Sequence, residues 1–188
     1  MMTDAVFLVD THCHLDLEQF DPDRDAVIER AATVGVDLLV NPGIDVAHSR
    51  AATALAESQA CVYAAVGVHP NSSADFSDET LAAVRALAAH SKAVAIGEIG
   101  LDYYWKSVEP PAQAAAFEAQ LTLAAELGLP VIIHNRDADD DVAAILRSWV
   151  KSEQFRASAL ARRPLPGCCM PSAANQSWRR KRMSGDLW

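Results

Sequence analysis

Two histidines separated by one residue, His12 and His14, stand in the stretch Val9-Asp-Thr-His-Cys-His-Leu-Asp16. In an extended segment, side chains two positions apart project to the same side, so both imidazoles can converge on one point. Neutral imidazoles converging at a strand end suit a divalent cation. Asn41, His69, Glu98 and His134 each follow directly on a short apolar run, as the His-x-His pair does. A carboxylate and imidazoles from separate strands can hold two divalent ions (magnesium, manganese or zinc), with the carboxylate bridging them. Such a pair lowers the pKa of a water and stabilises charge developing on a phosphate. The expected metal ligands are therefore His12, His14, Glu98 and His134, with Glu98 also serving the chemistry. Glu98 read instead as a core carboxylate would be costly to bury among glycines after an apolar strand.

The elements that must position these residues follow from periodicity. Apolar runs at 6–9, 38–40, 62–66, 94–96 and 131–133 read as strands, and helical apolar spacing covers 22–34, 46–59, 77–90, 110–128 and 139–150. Asp21-Pro22 reads as a helix start, Gly35 as a stop and Ser77 as an N-cap. Strand–helix alternation at roughly 30-residue intervals implies a parallel sheet with crossover helices. Polar residues at the C-terminal ends of successive strands favour a barrel over an open doubly wound sheet, and no glycine-rich phosphate loop follows the first strand. The expected fold class is α/β, an incomplete (β/α)8 TIM-type barrel made of the N-terminal five βα units. Residues 1–150 form its hydrolase domain, and 151–188 an irregular basic tail.

Composition narrows the function. The chain has 188 residues and a net charge of −9, divided between −15 over residues 1–150 and +6 over residues 151–188. An acidic body argues against non-specific nucleic-acid binding through a broad basic face, yet leaves room for an enzyme that reaches phosphate through metal ions. No apolar run approaches the ~20 residues of a membrane helix, and no secretory signal is evident, so a cytoplasmic protein with no membrane association is expected. The four cysteines, Cys13, Cys61, Cys168 and Cys169, make neither a disulfide framework nor the spacing of a structural zinc site.

Four segments taken together resemble the TatD family of metal-dependent deoxyribonucleases: Val9–Asp16, Val66-Gly-Val-His-Pro-Asn71, Ile96-Gly-Glu-Ile-Gly-Leu-Asp-Tyr103, and the run from Gln113 through Phe117 and Gln120-Leu121 to Leu129-Pro-Val-Ile-Ile-His134. The resemblance implies a metal-dependent phosphodiesterase that removes nucleotides from DNA ends, with His12, His14, Glu98 and His134 as ligands. It suggests His69 as a catalytic residue in contact with the substrate phosphate or reacting water, where the plainer reading is a histidine that hydrogen-bonds the next loop. Arg136, two residues after a ligand, could clamp a phosphate or equally pair with Asp137 or Asp139. Asp102 could orient a ligand or cap a turn. Tyr103, Tyr104 and Trp105 could stack on a base or simply pack.

The sequence departs from the family pattern after His134. The pattern calls for a further histidine after strand six, in a His-x-Phe-Ser-Gly segment, and an aspartate after strand eight. This chain has no later histidine, and after residue 150 its only aspartate is Asp186. Activity is accordingly expected to be impaired or absent, and the unclosed barrel marginally stable. Two further readings stand beside a nuclease: a non-catalytic metal-binding or interaction fragment, and a related amidohydrolase-type hydrolase with another substrate. Many of the latter bridge their metals with a carbamylated lysine, where this chain has Glu98.

Codons for Gly167-Cys-Cys-Met-Pro-Ser-Ala-Ala174, read one base out of frame, can encode Gly-Val-Leu-His-Ala-Phe-Ser-Gly, the expected strand-six segment. The expectation is a frameshift near residue 167. Nucleotide sequencing across codons 160–175 should reveal that histidine segment in the displaced frame, and its absence would end the idea.

Overall fold

The computed structural model describes residues 7–164 and 166–171, with side chains described through Cys168. Six parallel strands lie in sequence order in one sheet: β1 (Leu8–Asp10), β2 (Val36–Pro42), β3 (Val62–Val66), β4 (Ala93–Asp102), β5 (Val131–Arg136) and β6 (Gly167–Pro171). Helices α1 (Arg24–Thr33), α2 (Val46–Ser58), α3 (Asp78–Ala88), α4 (Pro110–Leu127) and α5 (Asp139–Lys151) make the crossovers, and a short α6 (Glu153–Ala157) follows. Parallel neighbours in sequence order, each joined through a helix, are the pattern of a partial TIM barrel.

Local chemistry accounts for the element ends. Ser77 caps α3 by accepting the Thr80 N–H at 3.3 Å, and Asp45 caps α2 by accepting the His48 N–H at 2.7 Å. Helix α4 begins on Pro110 and ends at Gly128, whose φ of +67° is the left-handed stop that glycine adopts without strain. The first helix starts later than expected. Its N-cap is Asp23, which makes no side-chain cap bond, while Asp21 turns back to pair with Arg24.

Three expectations are corrected. Strand β4 continues to Asp102 and β5 to Arg136, so Glu98, His134 and Arg136 lie within strands rather than beyond them. Among the described residues there are six strands, not five. The segment expected to be irregular from 151 holds α6, a 3-10 turn (Ala159–Arg162) and β6. Ser152 and Ser158 cap the first two by accepting from Phe155 N and Leu160 N, each at 3.2 Å, while Phe155 and Leu160 are buried. Strand β6 forms because the backbone edge of β5 offers a ladder that depends little on side chains. In that ladder Met170 sits opposite His134, at the position where the displaced reading frame would put its histidine. Val6, the basic run 179–182 and Asp186 lie outside the described residues.

The main core lies between sheet and helices, built on Val62, Val66, Ile96, Ile99, Val131 and Ile133 from strands and Phe117, Leu121, Val142 and Leu146 from helices. Burying each such side chain contributes roughly 1.5–3 kcal/mol. A smaller group, Ala65, Ala95 and Ile132 with Val40 and Cys168, takes one residue from each of β2 to β6. At the other extreme β1 is exposed, with Phe7 at 62%, Leu8 at 44% and Val9 at 42%. Among the described residues it has a neighbour only on the β2 side.

Two buried glutamines one heptad apart on α4 join the helix layer to the strand ends. Gln120 accepts from Val68 N at 2.8 Å and donates to Val68 O and Ala116 O at 3.1 Å. Gln113 accepts from Asp102 N at 2.8 Å and donates to Asp102 O and Val108 O at 3.0 and 2.8 Å. Replacing Gln120 by Leu keeps the volume but leaves the Val68 backbone groups buried and unpaired. The urea midpoint of Gln120→Leu should fall by an amount worth about 2–4 kcal/mol; a variant as stable as the parent would mean that water replaces the amide.

Candidate metal centre

Strand β4 positions the central residue. Its ladder with β5 slips between Ile96 and Ile99, where three residues of β4 span two of β5, and Glu98 lies in this bulge. Glycines let the two strands come close enough. A Cβ on Gly97 would lie 2.7 Å from Ile132 Cβ, and one on Gly100 would lie 2.0 Å from the His134 carbonyl oxygen, at a φ of +144°. Glu98 N donates to Gly43 O at 3.0 Å, which ties the bulge to the end of β2.

Glu98 is 4% exposed, and its two oxygens serve different partners. Oε2 lies 3.2 Å from His12 Nε2 and 3.6 Å from His14 Nε2, and those two nitrogens are 3.1 Å apart. Oε1 lies 2.8 Å from His134 Nδ1, and His134 Nε2 lies 3.0 Å from Asp102 Oδ2. The His69 ring packs on that of His134 with centroids 4.1 Å apart. Two sets of donor atoms result, His12/His14/Glu98 and His69/Asp102/His134, each set lying within 4.8 Å.

The first set fits a divalent cation. His14 Nδ1 faces the Pro42 carbonyl at 3.1 Å, so in the neutral ring, the form that binds a metal, it carries the proton and Nε2 presents its lone pair. Three electron-rich atoms, His12 Nε2, His14 Nε2 and Glu98 Oε2, then converge with only the His12 proton to share between them. Their 3.1–3.6 Å separations match the ~3.4 Å edge of a tetrahedron around an ion with bonds of ~2.1 Å. His12 Nδ1 is buried without a hydrogen-bond partner, so the ring is held chiefly by what its Nε2 meets. The second set is already satisfied by hydrogen bonds. Both nitrogens of His134 face carboxylates, and Asp102 also accepts from Tyr104 N, Trp105 N and Asn71 Nδ2 at 3.0–3.1 Å.

Electrostatics follow from this packing. Burial works to raise the Glu98 pKa, but hydrogen bonds from His12, His134 and His14 outweigh it and hold the carboxyl well below its usual range. The hydrogen bond to Glu98 raises His14; for His134, burial opposes, and Glu98 and Asp102 together still raise it. Asp102 is lowered, since the Trp105 N–H, His134 and Asn71 overcome its burial. His69 goes the other way: burial, then the neighbouring His134, push it down to about 4. Its Nδ1 accepts the Asn71 N–H at 3.1 Å, so a neutral ring presents Nε2–H as a donor.

Of the residues expected from the sequence, His12, His14, Glu98, His134 and His69 come together, with Asp102 among them. Arg136 takes neither of its expected carboxylates. Its guanidinium carbon lies 3.8 Å over the Tyr104 ring and 5.3 Å from that of Trp105. Sequence reasoning gave no role to Gln113, Gln120, Asn71 or Asn41. Two glutamines seven apart, in line with the apolar positions Phe117, Leu121 and Ala124 of the same helix, are the signal that could have found the first two. Asn41, fully buried, accepts from Asp16 N at 3.1 Å and donates to Asp16 Oδ1 at 2.7 Å, so it folds the loop after His14 back onto β2.

A pH dependence follows for the protein held in chelator. The raised pKa values of His14 and His134 give stability that is complete below about 6.5 and fades as pH rises through the raised values. Glu98 contributes stability that is lost only as pH falls below about 4.5. His69, depressed to about 4, is the shifted group that acts between these limits. It costs stability as pH falls from 6.5 to 4.5, by about 2 kcal/mol. The His69→Gln variant should lose this acid slope in urea midpoints; an unchanged slope would place the titration elsewhere.

Comparison with known proteins gives this geometry a lineage. The TatD related DNase family model matches residues 9–158. The uncharacterized metal-dependent hydrolase YabD of Bacillus subtilis is 46% identical over 140 residues, covering 74% of this chain and 55% of YabD. The 3'-5' ssDNA/RNA exonuclease TatD of Enterobacter lignolyticus is 41% identical over 143 residues, covering 76% and 55%. The crystal structure of YJJV, a TatD homolog from Escherichia coli K12, superposes with a TM-score of 0.71 at 35% identity, covering 76% of this chain and 56% of that one. The chain thus spans about half the length of the curated relatives it matches. A family model covering most of the chain, carried on a partial barrel with His/Glu clusters at its strand ends, places it in the TatD family of metal-dependent hydrolases.

Proposed function

We propose that this chain carries part of a metal-dependent phosphodiesterase site of the deoxyribonuclease type, acting at the ends of DNA in the cytoplasm. Turnover by the chain as given is impaired or absent. The observation that carries this reading is the meeting of His12 Nε2, His14 Nε2 and Glu98 Oε2 within 3.6 Å, with His134 on the other oxygen of the same carboxylate. His12, His14 and Glu98 would hold one divalent ion, and His134 with Glu98 would help to hold a second. Bound there, such ions supply Lewis acidity toward a phosphate and lower the pKa of water.

The remaining roles belong to the chain's own residues. Glu98, fully ionised, keeps the imidazoles oriented and balances their charge. His69 is neutral with its proton on Nε2, a donor for a phosphate oxygen rather than a base. Arg136, with no carboxylate partner among the described residues, offers its N–H groups to the same anion. Support for the substrate class comes from relatives named as single-stranded DNA and RNA exonucleases. Impairment is inferred because β6 carries Met170 opposite His134, where the family pattern calls for a histidine.

Calorimetric titration with manganese or zinc, combined with nucleotide release from end-labelled single-stranded DNA, tests the reading. The wild-type chain should bind the ion saturably, His12→Ala should bind it at least about tenfold more weakly, and nucleotide release should be slow and metal-dependent. Saturable binding with no release at all would favour a non-catalytic metal-binding fragment. Failure of the wild type to bind any divalent ion would sink the proposal.

A further inference from the structure

The loop from Tyr103 to Val108 carries two exposed aromatic rings, Tyr104 (52%) and Trp105 (61%). Exposed aromatics usually sit on loose loops, but this loop is anchored by buried polar groups at both ends. Asp102 Oδ1 accepts the N–H groups of Tyr104 and Trp105 at 3.0 and 3.1 Å, which fixes the backbone beneath both rings. Gln113 holds the backbone of Asp102 at one end and of Val108 at the other. Ser107 Oγ donates to Asn71 Oδ1 at 2.8 Å, tying the loop to the segment that carries His69. The two rings meet edge to face with centroids 5.0 Å apart, and the Arg136 guanidinium covers Tyr104 at 3.8 Å.

The arrangement is a fixed platform with one cation and one open indole. Asp102, which organises its backbone, also touches His134 of the candidate metal centre through its other oxygen, so platform and centre share a residue. Packing alone does not explain it, because burying the rings would serve stability and they are left in solvent. A planar, uncharged, sequence-tolerant ligand that brings a phosphate with it satisfies all three groups: the ring stacks on the indole, and the phosphate meets the guanidinium. We propose that Tyr104, Trp105 and Arg136 form a stacking subsite for an unpaired nucleobase of single-stranded nucleic acid, beside the metal centre. The proposal deepens the nuclease reading and rests on it for the identity of the ligand. An unpaired base is required because a base inside a duplex has both faces covered.

The test is binding in chelator, without turnover, at low salt. A single-stranded thymidine oligonucleotide, its abasic counterpart and an oligonucleotide ending in 2-aminopurine are titrated into wild type, Trp105→Ala, Trp105→Phe and His12→Ala. Wild type should bind the thymidine strand more tightly than the abasic one and quench the 2-aminopurine. Trp105→Ala should lose about tenfold in affinity for the base-bearing strand, the effect of one lost stack, with little change on the abasic strand. Trp105→Phe should recover much of it. His12→Ala should keep the base preference, since it removes a metal ligand and not the platform. Equal binding of the thymidine and abasic strands by wild type, or an unchanged preference in Trp105→Ala, would overturn the subsite. Metal binding by the wild type with no base preference defeats the subsite alone. Base preference with no metal binding defeats the hydrolase reading and leaves the platform standing.

Discussion

The site depends on one buried carboxylate with two oxygens that face different ways. Glu98 alone among the described groups contacts His12, His14 and His134, and it is 4% exposed. A buried carboxylate without partners would neutralise itself. Three imidazoles instead keep it charged, and in return it raises two of them. Removing either side leaves a charge stranded in a low-dielectric setting, which is why the residues act as a unit rather than as four separate ligands. The geometry needs β4 to bulge and to approach β5 closely, and Gly97 and Gly100 supply the missing Cβ atoms that make both possible.

Around that carboxylate the chain places polar groups that look out of character for a core. Gln113 and Gln120 sit on the most buried helix, yet every amide atom has backbone to meet. Their work is to seal the backbone of loops that leave the sheet with unpaired groups, a debt that irregular segments always carry when buried. The same bonds set where His69 and the Tyr104–Trp105 pair stand. Rigidity near the site therefore comes from helix α4 on the outside of the sheet, and the strand ends inherit it.

Among the described residues the sheet is open, with no pairing between β1 and β6. Strand β1 has both of its apolar residues, Leu8 and Val9, well exposed, with Phe7 exposed just before it, and the His-x-His pair follows its end. Two of the three residues of the first ligand set thus follow a strand with one neighbour among the described residues, while Glu98 and His134 rest on central strands with two. Local opening of β1 would cost fewer buried contacts than opening of β4 or β5, so the His12/His14 side is the more labile part of the site. An ion shared by His12, His14 and Glu98 would cross-link the weak strand to the strong ones.

Much of this was legible in residue order. The apolar runs and helical spacing set the alternation, the position of polar residues at strand ends chose a barrel over an open sheet, and His12, His14, Glu98 and His134 stood out by type and place. Those features are local, and a 2.0 or 3.6 residue period carries them. The sequence left open what depends on register and approach. It could not tell that Glu98 lies inside a bulged strand, that His134 bridges Glu98 and Asp102, or that Arg136 lies over Tyr104 instead of pairing with Asp137. It also missed β6, because a strand that adds to a waiting edge needs backbone donors and acceptors more than an apolar pattern. Side-chain type declared the chemistry; only the packing of β4 against β5, at the distance two glycines allow, decided which atoms meet.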